Sequence, residues 1–309
     1  MGCCSSGEER ADTAVKRPHL GFVHAGNLGS SLAVAAARVG HRVTAVSRRS
    51  PDAAAELAAR IGGDVLATAD AQRVADACDV LFLTTVDDHI PELARQLRFS
   101  ETQIVVHCSG ATPLSALDAA REAGAAVAGF HPLQTFPDTR GEDRFTGVTF
   151  GIEAADPEVL AWLKRLAADL GGTTVTLDPA SRALYHASAV MAGPLVAGLA
   201  GLAAGLWAGL GRDRTHGQSA LAPLLTATTE QVVGRGLPAA LTGPFARGDV
   251  DPVRAHVRAL RAFDPAAARA YAALALAQLP LAAERGNIPD ERLHELQRLL
   301  RDVVDRDDP

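Results

Sequence analysis

Four side chains in this sequence can hand over a proton near neutral pH from places where a ligand would sit: His107, His131, Tyr185 and His186. An imidazole titrates close to physiological pH, and a reduction of a carbonyl or imine needs a proton donor beside the atom that takes the electron pair. His107 opens the block His107-Cys108-Ser109-Gly110, and His131 lies in Gly129-Phe130-His131-Pro132-Leu133-Gln134-Thr135-Phe136. Tyr185 and His186 are neighbours in a helical stretch, about 100° apart around its axis, so only one of them is expected to face a ligand. Ser109 lacks the glycine two places earlier that a nucleophile elbow needs, and reads instead as a hydrogen-bonding residue on the phosphate side of a cofactor. Cys108 has no activating neighbour and reads as a small buried filler.

A reduction also needs a hydride source, and the first strand supplies a place for one. His19-Leu20-Gly21-Phe22-Val23 runs into His24-Ala25-Gly26-Asn27-Leu28-Gly29, a strand turning into a helix. Gly26 lets backbone approach a pyrophosphate, Gly29 allows close helix–strand packing, and the N–H groups of Asn27 and Leu28 belong to a helix start that favours anions. His24 occupies the position where this dinucleotide fingerprint normally has its first glycine. About 20 residues on, where an NAD enzyme carries an acidic ribose ligand, the chain has Ser47-Arg48-Arg49-Ser50. Hydroxyl and guanidinium groups suit a 2′-phosphate, so the expected cofactor is NADP(H).

These groups must be placed by a sheet. Short apolar runs alternate with helical ones: Leu20 to Val23, Leu28 to Val39, Arg42 to Val46, a helix from Pro51 capped by Ser50, then Val80 to Leu83, Gln103 to Val106, Ala125 to Phe130, Val148 to Ile152 and Thr173 to Leu177. That alternation predicts a parallel, doubly wound α/β sheet of Rossmann type. Thr84, Thr85, Asp87, Asp88, the His107 block and the His131 block all follow strands, at the edge where such sheets bind ligands. Thr84 and Thr85 are expected on the cofactor, and Gln134 on the substrate.

Beyond Asp178 the strand signals stop and helices follow one another: 182–210, 217–233, 252–262, 265–284 and 289–304. The expected organisation is a leader over 1–17, an NADP-binding Rossmann domain over 18–178, and an all-α domain over 179–309. Arg247 and Asp249 lie in a Gly/Pro-rich turn of the second domain, as a salt-bridged loop or as a clamp for an anionic substrate.

Composition removes several classes. A net charge of −6 with no basic run argues against nucleic acid. Cys3, Cys4, Cys78 and Cys108 show neither a CxxC pair nor metal-ligand spacing, so no metal is expected. The leader has no apolar core for secretion, although Met1-Gly2-Cys3-Cys4-Ser5-Ser6 formally matches a lipidation signal. The uncharged stretch 183–211 is rich in Ala and Gly and contains Gly193-Pro194, which predicts a helix buried by protein rather than a membrane span. A cytoplasmic protein acting on a small molecule is expected.

The blocks His107-Cys108-Ser109-Gly110, Gly129 to Phe136, Leu184-Tyr185-His186-Ala187 and Leu241-Thr242-Gly243-Pro244-Phe245-Ala246-Arg247-Gly248-Asp249 resemble the signatures of Rossmann-like proteins carrying a DUF2520 domain. The resemblance runs from about His19 to about Leu276. It implies a fold similar to pyrroline-5-carboxylate reductase, ketopantoate reductase, F420-dependent NADP reductase and the 6-phosphogluconate dehydrogenase group. It further implies a reductase-like cleft between the domains and a homodimer formed through the helical one. The lysine that hydroxyacid dehydrogenase relatives use as general acid has no counterpart, since Lys16 and Lys164 are the only lysines. The expectation is an NADPH-dependent oxidoreductase for a small carbonyl or imine. A non-catalytic NADP-binding or regulatory protein and an F420-dependent NADP oxidoreductase are the alternatives.

Overall fold

The computed structural model describes residues 18–305. The leader over 1–17, with its Met1 to Ser6 motif, lies outside the described residues. Alternating elements open the chain: β1 (His19–Val23), α1 (Asn27–Arg38), β2 (Arg42–Ser47), α2 (Pro51–Ile61), β3 (Leu66–Thr68), α3 (Ala71–Ala75), β4 (Val80–Leu83), α4 (Ile90–Gln96), β5 (Ile104–His107), α5 (Asp118–Glu122), β6 (Ala126–Pro132), β7 (Thr149–Ala154), α6 (Pro157–Asp169) and β8 (Thr173–Thr176). Helices follow: α7 (Arg182–Ala192), α8 (Pro194–Gly205), α9 (Arg214–Arg235), α10 (Gly243–Arg247), α11 (Val250–Phe263), α12 (Pro265–Ala283) and α13 (Asp290–Val304).

The strands form one sheet in the order β3-β2-β1-β4-β5-β6-β7-β8, with the order reversing between β1 and β4 as in a doubly wound fold. Every pairing is parallel except that of β6 with β7. The departure from an all-parallel sheet has a simple cause. No α-helix crosses over between these two strands, only a loop with one short 3₁₀ turn at Glu142–Phe145, so β7 returns antiparallel.

Strand alternation divides the core. One face stacks aromatic rings across the sheet, with Phe22 on Phe82 at 4.9 Å and Phe130 on Phe150 at 4.6 Å, under α1 and α6. Phe-rich alternate positions put large apolar area on that side, where each fully buried ring stabilises by about 1.5–3 kcal/mol. The opposite face carries Val23, Leu81, Leu83 and Val105 against α3, α4 and α5.

The chain divides into two compact units, one through Val190 and one from Met191. α7 therefore counts almost wholly with the sheet, beyond the break expected at Asp178, because Arg182 is buried against strand residues. In the second unit, α11, α12 and α13 share a core of Val253, Val257, Ala268, Ala272, Leu296 and Leu300.

The stretch 182–210 is not one helix: the chain breaks at Gly193 and Pro194, where proline cannot continue the hydrogen-bond ladder. Nor is it enclosed by protein as expected. Only Arg182 is buried in α7 and only Ala204 in α8, while Leu184, Met191 and Leu195 are exposed. Apolar composition specifies that a helix needs cover, and leaves open what covers it.

Candidate active site at the carboxyl edge of the sheet

The nucleotide turn forms where the sequence puts it. Val23 ends β1, His24 adopts φ 52°, and Gly26 starts α1 with no side chain capping the helix. A left-handed residue here explains why the fingerprint favours glycine, since an L side chain in that conformation costs about 1–2 kcal/mol. The turn is held from β2: Ser47 Oγ accepts the N–H of His24 at 3.0 Å, and the carbonyl of Ser47 accepts that of Ala25 at 2.8 Å. Ser47 is fully buried, so it shapes the turn and does not present its hydroxyl to a 2′-phosphate as expected. Arg48 is half-buried and Arg49 exposed, both at the end of β2. His24 is exposed on the turn, and its partial desolvation, followed by the charges of His89 and Arg49, lowers its pKa.

The remaining cofactor-side residues surround this turn. A Cβ at Gly29 would overlap Thr84 Oγ1, which itself donates to the carbonyl of Val23 at 2.9 Å, so only glycine lets α1 lie this close to β4. At Gly26 a Cβ would meet nothing nearer than the carbonyl of His24 at 4.0 Å, leaving exposed backbone above an uncapped helix start. That arrangement fits a dinucleotide pyrophosphate. Leu28 packs against the aromatic core, Thr85 is half-buried after β4, and Asn27 Nδ2 donates to the carbonyl of Phe136 at 3.1 Å.

The proton-bearing groups meet on the other face of the sheet. His107, Gly129 and His131 alternate with core residues on β5 and β6, and Gly151 and Glu153 sit opposite His131 and Gly129 on β7. Glycines form the floor, and α7 lays its side chains on it. A Cβ at Gly129 would lie 3.0 Å from Arg182 Nη2, one at Gly151 2.6 Å from Tyr185 Cζ, and one at Gly110 2.7 Å from His186 Cδ2 and 2.8 Å from His131 Cε1. Positions i, i+3 and i+4 of one helix turn thus occupy three glycine hollows.

His131 is the centre. Its Nδ1 lies 2.8 Å from the Tyr185 hydroxyl, with the rings perpendicular, and His186 stands 6.2 Å from it between ring centroids. Both neighbours on the helix therefore reach His131, contrary to the expectation that one would turn away; the glycine floor gives each a hollow. Burial, then His186 and Arg182, lower the pKa of His131 to about 4, so the ring is neutral at pH 7. Burial raises that of Tyr185, keeping it a phenol.

His107 lies deeper. It is fully buried, neither ring nitrogen has a hydrogen-bond partner, and burial with the charge of Arg182 takes its pKa to about 3. It cannot meet a substrate as a proton donor from there. Ser109 is likewise engaged: its hydroxyl accepts the N–H groups of Ala111 and Thr112 and donates to Asp87 Oδ2 at 2.7 Å. Cys108 is buried with its thiol pushed up to about 12, an inert filler.

Two residues of this cluster were not singled out from the sequence. Arg182 and Glu153 form a buried ion pair, and Arg182 Nη1 also donates to the carbonyl of Ser109 at 3.2 Å. Their signals were a lone acid in the apolar run Phe150-Gly151-Ile152-Glu153 and an arginine three places before Tyr185.

Gln134 is exposed after β6, its Oε1 accepting the N–H of Thr135. In the second unit, Arg247 Nε donates to Asp249 Oδ2 at 2.7 Å around the left-handed Gly248. That pair is a salt-bridged turn, and it borders a surface hollow with Asp251 and Arg292.

Residues 148–278 match the family described as a domain of unknown function, DUF2520, and residues 19–111 match the family described as NADP oxidoreductase, coenzyme F420-dependent. None of the curated proteins matches. Among solved structures, one from Bacteroides fragilis named as an NADP oxidoreductase is 28% identical, covering 85% of this chain and 98% of that one with a TM-score of 0.66. Protein TM1727 of Thermotoga maritima is 23% identical, covering 92% and 98% with a TM-score of 0.64. The 1-pyrroline-5-carboxylate reductase of Streptococcus pyogenes shares the fold at 12% identity, covering 91% and 98% with a TM-score of 0.59. Two family models thus match successive parts of the chain, the DUF2520 domain lying behind a nucleotide-binding domain of the NADP oxidoreductase type.

Proposed function

We propose that this chain is a cytoplasmic, NADPH-dependent reductase of a small carbonyl or imine compound, acting as a homodimer through its helical unit. The Tyr185–His131 pair at the carboxyl edge of a dinucleotide-binding sheet carries this reading. The backbone at Gly26 and the start of α1 would hold the pyrophosphate, with Arg48 and Arg49 on the 2′-phosphate. The reduced nicotinamide supplies a hydride when bound.

The protein's own residues manage the proton. Tyr185 remains protonated at neutral pH and serves as general acid, donating its O–H to the ligand. The phenolate left behind is held by the backbone N–H of Gly151 and, in the Nδ1–H tautomer, by His131. Both donors are fixed before the reaction, by the β6–β7 pairing and by the perpendicular ring contact. Tyr185 thus fills the role of the missing lysine.

Calorimetry with NADPH and NADH, then a substrate screen following NADPH absorbance, tests the reading. NADPH binds more tightly, Arg48→Ala narrows the gap, and Tyr185→Phe keeps cofactor binding while lowering turnover by about 10²-fold or more. Equal affinity for the two dinucleotides, or full turnover by Tyr185→Phe, contradicts it. The description of the family matching 19–111 favours one second reading, hydride exchange between NADP and the deazaflavin F420. Bleaching of F420 absorbance in the same assay identifies it.

A further inference from the structure

The charges around His131 select between the two substrate classes just named. The field of Arg182 reaches His131 after that of His186, and Arg182 is bound to Glu153 within the fold, which offsets its charge. Asp87 reaches His131 as well, and its charge has no such partner in the cluster. The loop after β5 aims a donor at Asp87: two backbone N–H groups occupy Ser109 Oγ as acceptor, so its hydroxyl proton can only go outward, and it goes to Asp87 Oδ2 at 2.7 Å. The carboxylate stands exposed at the end of β4, one residue pair away from His131 through Ser109 and Gly110. His107 and His131 add no positive charge at pH 7.

Reducing a carbonyl builds negative charge on its oxygen, whereas reducing an imine proceeds through a protonated, positive C=N group. A fixed carboxylate disfavours the first and stabilises the second. Resting on the reductase reading above, we infer that this site takes an imine, which becomes its iminium cation beside Asp87, in preference to a ketone or a 2-oxo acid. Tyr185 gives its proton to the imine nitrogen. The C=N carbon then receives hydride from NADPH, its π pair moves to nitrogen, and Tyr185 regains a proton from water. The sum is imine, NADPH and one proton giving amine and NADP⁺. A 2-oxo acid would bring a second carboxylate to a site whose buried arginine is already paired with Glu153.

The test compares the wild type with Asp87→Asn, which keeps an oxygen to accept from Ser109 and removes the charge. The probes are 2-methyl-1-pyrroline, 2-methylcyclopentanone and pyruvate, each followed by NADPH oxidation. The imine should react fastest, and Asp87→Asn should lower its kcat/KM by about tenfold or more while leaving the ketone unchanged or improved. A faster ketone or 2-oxo acid, or an imine rate indifferent to Asp87→Asn, overturns the inference. If none of the probes consumes NADPH, the reductase reading fails on its own account, and binding still judges the site. Calorimetry with 2-methylpyrrolidine, a cation at pH 7, should show binding, with or without NADP⁺, that Asp87→Asn weakens about tenfold, with pyruvate binding weaker than the amine. Binding that ignores the substitution, or no amine binding at all, overturns it.

Discussion

At the scale of single residues, the histidines matter through the proton they refuse. His131 and His107 titrate near 4 and 3 in the folded chain, below the ordinary value of about 6.5 that they regain on unfolding. Between about pH 6.5 and 4 the unfolded state binds protons the native state does not. Stability contributed by the neutral rings is therefore complete above pH 6.5 and is lost as pH falls, by up to about 1.4 kcal/mol per pH unit for each ring. The urea midpoint should drop between pH 7 and 5. His107 also leaves two ring nitrogens buried without partners, a burden of about 1–3 kcal/mol that an apolar side chain of similar size removes. His107→Leu should thus hold or raise the midpoint at pH 7 and flatten its pH dependence. A stability that falls by more than about 2 kcal/mol at pH 7 in this variant would mean that His107 has a partner, such as a bound water, that the protein needs.

At the scale of elements, glycines decide what can touch what. Gly26 and Gly151 predict opposite outcomes for the same added methyl. At Gly26 the Cβ finds open space, so Gly26→Ala should keep the fold, costing about 1 kcal/mol or less at this helix start, yet weaken NADPH binding sharply by standing where the pyrophosphate lies. Unchanged affinity in a folded Gly26→Ala would place the cofactor elsewhere. At Gly151 the Cβ would meet Tyr185 Cζ at 2.6 Å, so Gly151→Ala must shift α7 or β7, costing about 1–3 kcal/mol and displacing the hydroxyl from His131. Thermal unfolding together with substrate turnover checks that variant, which should lose both while cofactor affinity stays. This contrast also marks what was legible in the sequence. The β1–α1 turn could be read because its glycines stand within a few residues of one another, and the strands because their apolar runs are continuous. β3, α3 and α10 are three to five residues long, too short to show a period. The floor of Gly110, Gly129 and Gly151 could not be read, because it exists only once β5, β6 and β7 are paired and α7 is laid across them. The same holds for Arg182 and Glu153, whose pairing joins positions 29 residues apart. Ser47 could be read as polar at the right place, but its direction depended on the strand's pleat.

At the scale of the whole molecule, the helical unit leaves apolar faces of α8 and α9 exposed. α9 runs 22 residues with only Gly217 buried, contains Pro223 in its interior, and exposes Leu224, Leu225 and Val233. A proline inside a helix costs about 3 kcal/mol, and a helix of this length without tertiary burial is marginal in water. α8, packed along it, exposes Leu195, Leu199 and Leu202 as well. Something must cover both, and the occupant we propose is a second copy of the chain. A two-fold axis brings the same apolar patch of each subunit against its twin, so one sequence solves the problem twice. Each leucine buried this way contributes about 1.5–3 kcal/mol. Sedimentation should give twice the 32.1 kDa chain mass at micromolar concentration, and dilution should lower Tm, since unfolding is then linked to dissociation. Leu199→Glu with Val233→Glu would place four carboxylates in the shared patch and should yield a monomer of reduced stability. A wild type that sediments as a soluble monomer, with a Tm independent of concentration, shows that α8 and α9 stand alone and removes the dimer.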